Sequence, residues 1–245
     1  MRYLITFSYD GSKYQGYQTQ EHGKTVQDEI EKALKKIAGN KDISIHASGR
    51  TDAGVHALNQ KAHFDLENEI EVERLKHSLN GLLPKDIYIK RVETVKNSFH
   101  ARFDVRAKEY IYELNMGEYN PIQKDYVCQW NKRLDVVEIE RALKYLEGTH
   151  DFRSFTKKGN DDCVRKLVQT NLIRDLKDVN HITLVFVGTG FLRYQVRNMV
   201  GTLIEIGEGK RKSADIMDIL EAKDRTQAGI TAPSCGLYLK DVYYN

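Results

Sequence analysis

The chain has 245 residues, 40% of them hydrophobic and 30% charged, the composition of a soluble globular protein that can bury a core without staples. A formal net charge of +3 and a pI near 8.5 permit a polyanionic partner without demanding one. No apolar run reaches membrane-spanning length, and Cys128, Cys163 and Cys235 are too few, too scattered and odd in number for a disulfide framework or a zinc site.

The opening "MRYLITFSYDG" is too short and too interrupted for a secretory segment. It reads as the first strand of a cytoplasmic protein, with Tyr3, Ile5, Phe7 and Tyr9 on one face. A long loop rich in Tyr, Gln and Gly follows, and its Tyr14 and Tyr17 read equally as packing residues or as platforms for a nucleobase. "TVQDEIEKALKKIAGN" predicts a helix. Thr25 and Asp28 form a capping box, Val26, Ile30, Ala33, Leu34 and Ile37 form the apolar stripe, and Gly39-Asn40 closes it. "NQKAHFDL" reads as a strand, "EVERLKHSLNGLLP" as a helix, and "IYIKRVETV" and "KEYIYELN" as strands.

In the second half Asp135, with Glu138, caps a helix running to Leu146, and Leu134 and Ile139 make a hydrophobic staple. "RKLVQTNLIRDL" and "HITLVFVGTGF" predict a strand pair. "FLRYQVRNMVGTLIEIG" predicts a helix with Leu192, Val196, Met199, Val200 and Leu203 inward. On that helix Arg193 and Arg197, four residues apart, share a face outside the core stripe. Ser213 caps a shorter helix, and "GLYLKDVYY" closes the chain as a strand. The irregular alternation with hairpins predicts an α+β fold: a mostly antiparallel mixed sheet with helices packed on it. With three prolines and no low-complexity tether, no flexible linker is indicated, and the chain is read as an N-terminal half, residues 1–104, and a C-terminal half, residues 105–245, of one continuous unit.

Between two strand-like patches lies "HASGRTDAGVHAL", in which Arg50, Thr51 and Asp52 stand side by side between Gly49 and Gly54. Asp and Gly are turn formers for local reasons. The alternative to a plain turn is a site, because glycine allows close approach and a carboxylate beside a guanidinium is a reactive pair in waiting. His46, His56, His63 and His100 show no metal-binding spacing, and His56 and His100 read as hydrogen-bonded structural residues. The basic pairs and triplets Lys35-Lys36, Lys157-Lys158, Arg165-Lys166 and Lys210-Arg211-Lys212 read as solvated surface or, taken together, as a broad phosphate-binding face.

Five ordered segments resemble the tRNA pseudouridine synthases of the TruA family: "YDGSKYQGYQTQ…TVQDEIEKAL", "SGRTDAGVHA", "SFHARFDVRAKEYIY", "GTGFLRYQVRNMVG" and "AGITAPSCGLYL". Tyr17 stands where that family frequently has tryptophan. The resemblance implies two similar halves flanking a central active-site cleft, and a homodimer with tRNA touching both subunits. It implies isomerisation of uridine to pseudouridine in tRNA, at positions 38–40 of the anticodon stem-loop, with no cofactor and no metal. Asp52 would be the catalytic nucleophile, on the base or on the sugar C1′. Tyr110 would stack on the flipped uracil and handle the C5 proton. Arg197 would pair with Asp52, and Arg50 would help extrude the nucleotide. The same chemistry on another RNA, or a catalytically silent RNA-binding module, are the alternatives.

The residue types suit that chemistry. A glycosidic bond breaks through a cation-like sugar that a carboxylate stabilises or traps. Burial raises an aspartate pKa while an adjacent arginine lowers it, and arginine stays charged. A stacked base is out of reach until it is flipped onto an aromatic surface. Without the resemblance, Tyr110 is a cross-strand core aromatic, and Arg197 a helix cation whose stem covers apolar surface.

Overall fold

A computed structural model describes residues 1–157 and 162–244; Lys158, of the Lys157-Lys158 pair, lies outside the described residues. Ten strands and five α-helices are present among them, and the fold is α+β, as expected. The chain forms two compact units, Met1–Arg106 with Tyr238–Asn245, and Ala107–Leu237.

The first unit contains β1 (Arg2–Tyr9), α1 (Val26–Ile37), β2 (His46–Ala47), β3 (His56–Asp65), α2 (Val72–Leu82) and β4 (Ile87–Val95). β1 lies between β3 and β4, antiparallel to both. Its alternation puts Tyr3, Ile5, Phe7 and Tyr9 in the core, as the sequence predicts, and Leu4 is buried too. β3 also takes β2 antiparallel, His46 opposite His63. α1 carries the expected stripe, with Thr25 as its cap. The box is not reciprocal, because the Asp28 carboxylate accepts the Thr25 hydroxyl at 2.5 Å. α2 is capped by Glu71, whose carboxylate accepts the N–H groups of Glu73 and Arg74.

The second unit holds β5 (Val105–Asn115) from Ala107 onward, β6 (Cys128–Gln129), α3 (Val136–Leu146), β7 (Gly148–Asp151), β8 (Val164–Arg174), β9 (His181–Gly188), α4 (Gln195–Gly207) and α5 (Asp215–Ala222). β5, β9, β8 and β7 pair antiparallel in that order, and β6 runs parallel to β5. Asp135 caps α3 through the N–H groups of Val137 and Glu138. Leu134 and Ile139 are buried and close over Gly207. The last strand, β10 (Leu237–Tyr244), pairs parallel with β3, Tyr238 opposite His56.

Two helix starts differ from the sequence reading. α4 begins at Gln195, because Tyr194 is left-handed at φ 64° and breaks the helical path. The Gln195 side chain then accepts the Leu192 N–H at 2.8 Å. Arg193 therefore lies before the helix, and the four-residue rule does not apply to it and Arg197. Ser213 does not cap α5, whose N-cap position is Ala214 with no side-chain bond; instead Ser213 hydrogen-bonds Glu138. No described helix is long and apolar enough to cross a membrane.

His63 ties β3 to the segment after β4. Its Nδ1 accepts the Ala101 N–H at 3.1 Å. Burial, then the charges of Arg2, His100 and His46, lowers its pKa to about 4, with Asp65 opposing. The unfolded chain takes up that proton near 6.5 and the folded chain does not. Stability from this group is therefore complete above 6.5 and falls as pH drops towards 4, by at most about 1.4 kcal/mol per pH unit. The melting temperature is expected to fall between about pH 7 and about pH 5. His63→Asn, which keeps an acceptor and removes the titration, is expected to flatten that slope; equal slopes would refute the assignment.

Candidate functional site

The segment from Ser48 to Val55 leaves β2 and returns into β3, so both ends are set by the sheet. Its floor is a polar contact inside β3. The Ser48 hydroxyl donates to Gln60 Oε1 at 2.6 Å, and Gln60 Nε2 donates to the Gly49 carbonyl at 3.0 Å. Ser48 and Gln60 are fully buried, so each needs such a partner. The next anchor comes from β1, where the Tyr9 hydroxyl lies 2.7 Å from Thr51 Oγ1. Burial, opposed by bonds to Thr51 and Gln60, raises the Tyr9 pKa to about 12, so its hydroxyl stays protonated.

The Tyr- and Gly-rich loop after β1 closes over the other side. Tyr17 N–H donates to the Thr51 carbonyl at 3.1 Å, and Gly54 N–H to the Tyr14 carbonyl at 3.3 Å. Two glycines make that approach possible. A Cβ on Gly11 would sit 1.9 Å from the Val55 carbonyl oxygen, and Gly16, at φ 101°, lies against the Thr51 carbonyl. Tyr14 and Tyr17 are 3% and 2% exposed and pack, rather than facing outward. Tyr14 donates to Asp86 at 2.5 Å. His56 is buried, accepts the Gly11 N–H and stacks on Tyr238 with ring centroids 4.6 Å apart, the structural role read for it in sequence. The result is a rigid loop that holds Thr51 inward, with Asp52 half-buried and Arg50 exposed.

In the second unit Tyr110 lies on β5 opposite Phe186 of β9. It is 8% exposed, and its ring meets that of Phe191 edge-on at 5.0 Å. α4 is buried along nearly its whole length, and Arg197 is one of its few half-buried positions. Arg197 Nε donates to the Ala232 carbonyl at 2.8 Å, and Ala232 N–H returns a bond to the Arg197 carbonyl at 3.0 Å. The segment carrying Ala232 is in turn fixed to α4. Gly201 presses on the Ile230 carbonyl, where a Cβ would approach to 1.7 Å, and Gly229 N–H donates to Thr202 Oγ1. Arg193 and Arg197 both lie over the Tyr194 ring, at 4.9 and 5.5 Å from its centroid.

Three supporting residues were invisible to pattern reading. Tyr9 and Gln60 looked like ordinary strand positions. Arg225, which donates to the carbonyls of Ala228 and Gly229 and to Asn198 Oδ1, belonged to no motif. Their partners lie 11 to 42 residues away for Gln60 and Tyr9, beyond any periodicity. Several basic side chains are ion-paired: Lys35 with Asp42, Lys210 with Glu208 and Arg211 with Glu205. No group of three or more His, Cys, Asp or Glu among the described residues is placed to hold a metal.

A family model described as tRNA pseudouridine synthase matches residues 5–104 and 142–245. The chain is 43% identical to the tRNA pseudouridine synthase A of Streptococcus uberis over 246 aligned positions, covering 99% of this chain and 98% of that protein. The tRNA pseudouridine synthase A of Streptococcus pneumoniae strain P1031 matches with the same identity and coverage.

Proposed function

Because the chain belongs to the tRNA pseudouridine synthase family, we propose that it isomerises uridine to pseudouridine in tRNA, at positions 38–40 of the anticodon stem-loop. The observation that carries this reading is the clamped loop that presents Arg50, Thr51 and Asp52, in a chain alignable with such enzymes over almost its full length.

The N1–C1′ bond of the flipped uridine breaks, the uracil turns, and C5 bonds to C1′. The C5 proton leaves and N1 ends protonated, so the mass is unchanged. Asp52 is the nucleophile that traps the electron-poor centre. Arg197, whose guanidinium donates to the Ala232 carbonyl, is the proposed partner of Asp52, a role suited to arginine because it stays charged and favours the ionised form of a carboxylate. Tyr110 gives the flipped base an aromatic face and its hydroxyl serves the C5 proton. Arg50, exposed on the loop, helps extrude the nucleotide. The enzyme works in the cytoplasm as a homodimer with tRNA touching both subunits; twofold homodimers are the commonest assembly.

Incubation with unmodified tRNA labelled with tritium at uridine C5 tests the reading. The expected result is release of tritium, with new pseudouridine at positions 38–40. Release of free uracil would instead identify a hydrolase, and pseudouridine in another RNA alone would move the substrate assignment.

A further inference from the structure

In the first unit the turn after β4 displays one aromatic ring to solvent. Phe103 is 75% exposed. A single exposed apolar side chain needs no explanation, but this one is held in place. The N–H groups of Phe103 and Asp104 both donate to the His100 carbonyl, at 3.2 and 3.1 Å. His100 N–H donates to the Asp104 carboxylate at 2.7 Å, and Arg102 N–H to His100 Nδ1 at 3.1 Å. Ala101, at the root of the turn, is fully buried and bonded on both sides, its N–H to His63 and its carbonyl to the Tyr244 hydroxyl.

Behind Phe103 stands a ladder of rings. The His100 ring lies 4.3 Å from that of Phe103, tilted by 32°. His63 meets His100 at 4.7 Å, and His46 stacks on His63 at 5.1 Å. Burial, then neighbouring charge, lowers the pKa of both His63 and His100, so those rings are uncharged at neutral pH. Arg102 and Arg106 are exposed on either side of Phe103 in sequence. An exposed ring on a hydrogen-bonded turn, with an exposed arginine one residue before it and another three residues after, suits single-stranded nucleic acid: the ring stacks a base while the cations meet phosphates.

We infer that Phe103 is a stacking platform for an unpaired nucleobase of the RNA substrate, outside the reacting nucleotide, with Arg102 and Arg106 on the adjoining phosphates. This rests on the tRNA reading above. Stacking is sequence-tolerant, because every base has a π face, so the platform positions the RNA and does not select a base.

The test is filter binding of unmodified tRNA to the full-length wild type, Phe103→Ala, Phe103→Trp and Arg102→Ala, at low and high salt. Phe103→Ala is expected to raise Kd by roughly 5- to 150-fold, the equivalent of about 1–3 kcal/mol, by the same factor at both salt concentrations. Phe103→Trp is expected to bind at least as tightly as wild type, and Arg102→Ala to lower the salt slope. An exposed side chain leaves folding intact, which thermal melting checks. Wild-type conversion of uridine together with an unchanged Kd for Phe103→Ala overturns the platform alone. A wild type that does not bind tRNA overturns the functional reading and the platform with it. A change in sedimentation of Phe103→Ala without RNA would assign the ring to a second copy of the chain and overturn the platform.

Discussion

Asp52→Asn is expected to bind tRNA close to wild-type affinity and to release essentially no tritium from C5-labelled uridine. Asparagine keeps the size of the side chain and most of its hydrogen bonding, so the loop it stands on is preserved. That loop is held by contacts that do not involve the Asp52 carboxylate: Ser48 to Gln60, Gln60 to the Gly49 carbonyl, Tyr9 to Thr51 and Tyr17 to the Thr51 carbonyl. Affinity for RNA comes chiefly from phosphate contacts, which the substitution leaves alone. What disappears is the negative charge of the proposed nucleophile. Loss of a member of a covalent-catalytic set costs on the order of 10⁴–10⁶-fold in turnover. Single-turnover tritium release and filter binding, measured on the same preparation, separate the two effects. Normal release by Asp52→Asn would end the nucleophile assignment, and lost binding with intact folding would make Asp52 a binding residue.

Tyr110→Phe is expected to hold tRNA nearly as well as wild type and to turn over roughly 10²–10⁴-fold more slowly, the contribution of a positioned acid–base group. The substitution is conservative where the structure is most demanding. Tyr110 is almost fully buried between β9 and the edge-on Phe191 ring, and phenylalanine keeps that ring contact. Tyr110→Ala is a poorer probe of chemistry. It removes a packed ring beside Phe191, and truncating a buried aromatic costs about 3–5 kcal/mol of stability. Loss of activity in the alanine variant must therefore be read beside its melting temperature. A Tyr110→Phe enzyme with the wild-type rate would leave the ring with stacking and packing roles only.

Much of the fold was readable because secondary structure leaves a short-range mark. The alternation of Tyr3, Ile5, Phe7 and Tyr9 is a property of eight consecutive residues, and the strand they form buries that face. The α1 stripe and its Thr25 cap are likewise local. α4 shows where that kind of reading stops. Its apolar period runs on through Leu192, but the helix begins at Gln195, because Tyr194 adopts a left-handed conformation that no hydrophobic pattern announces. The capping boxes show the same limit. Glu138 stands at the right spacing to answer Asp135, yet its carboxylate takes Arg141, three residues on, and Ser213, a partner offered only by the folded chain.

The site divides along the same line. Arg50, Thr51 and Asp52 were conspicuous as a charged triplet between glycines, and Tyr110 and Arg197 stood in segments resembling a known family. Residue order alone left Tyr14 and Tyr17 suspended between packing and RNA contact. Burial decides for packing: their loop folds back over the Asp52 segment, and the backbone bonds to Thr51 and Gly54 come from it. The chain thus carried in its order the strands, the helices and the reactive residue types, all set by interactions within a few positions. Which residues hold that loop still was decided by tertiary structure, since Tyr9 meets Thr51 across 42 residues and Gln60 meets Gly49 across 11. Such pairs exist only once the sheet has brought distant segments within hydrogen-bond reach, because a bond of about 3 Å has no counterpart in sequence spacing.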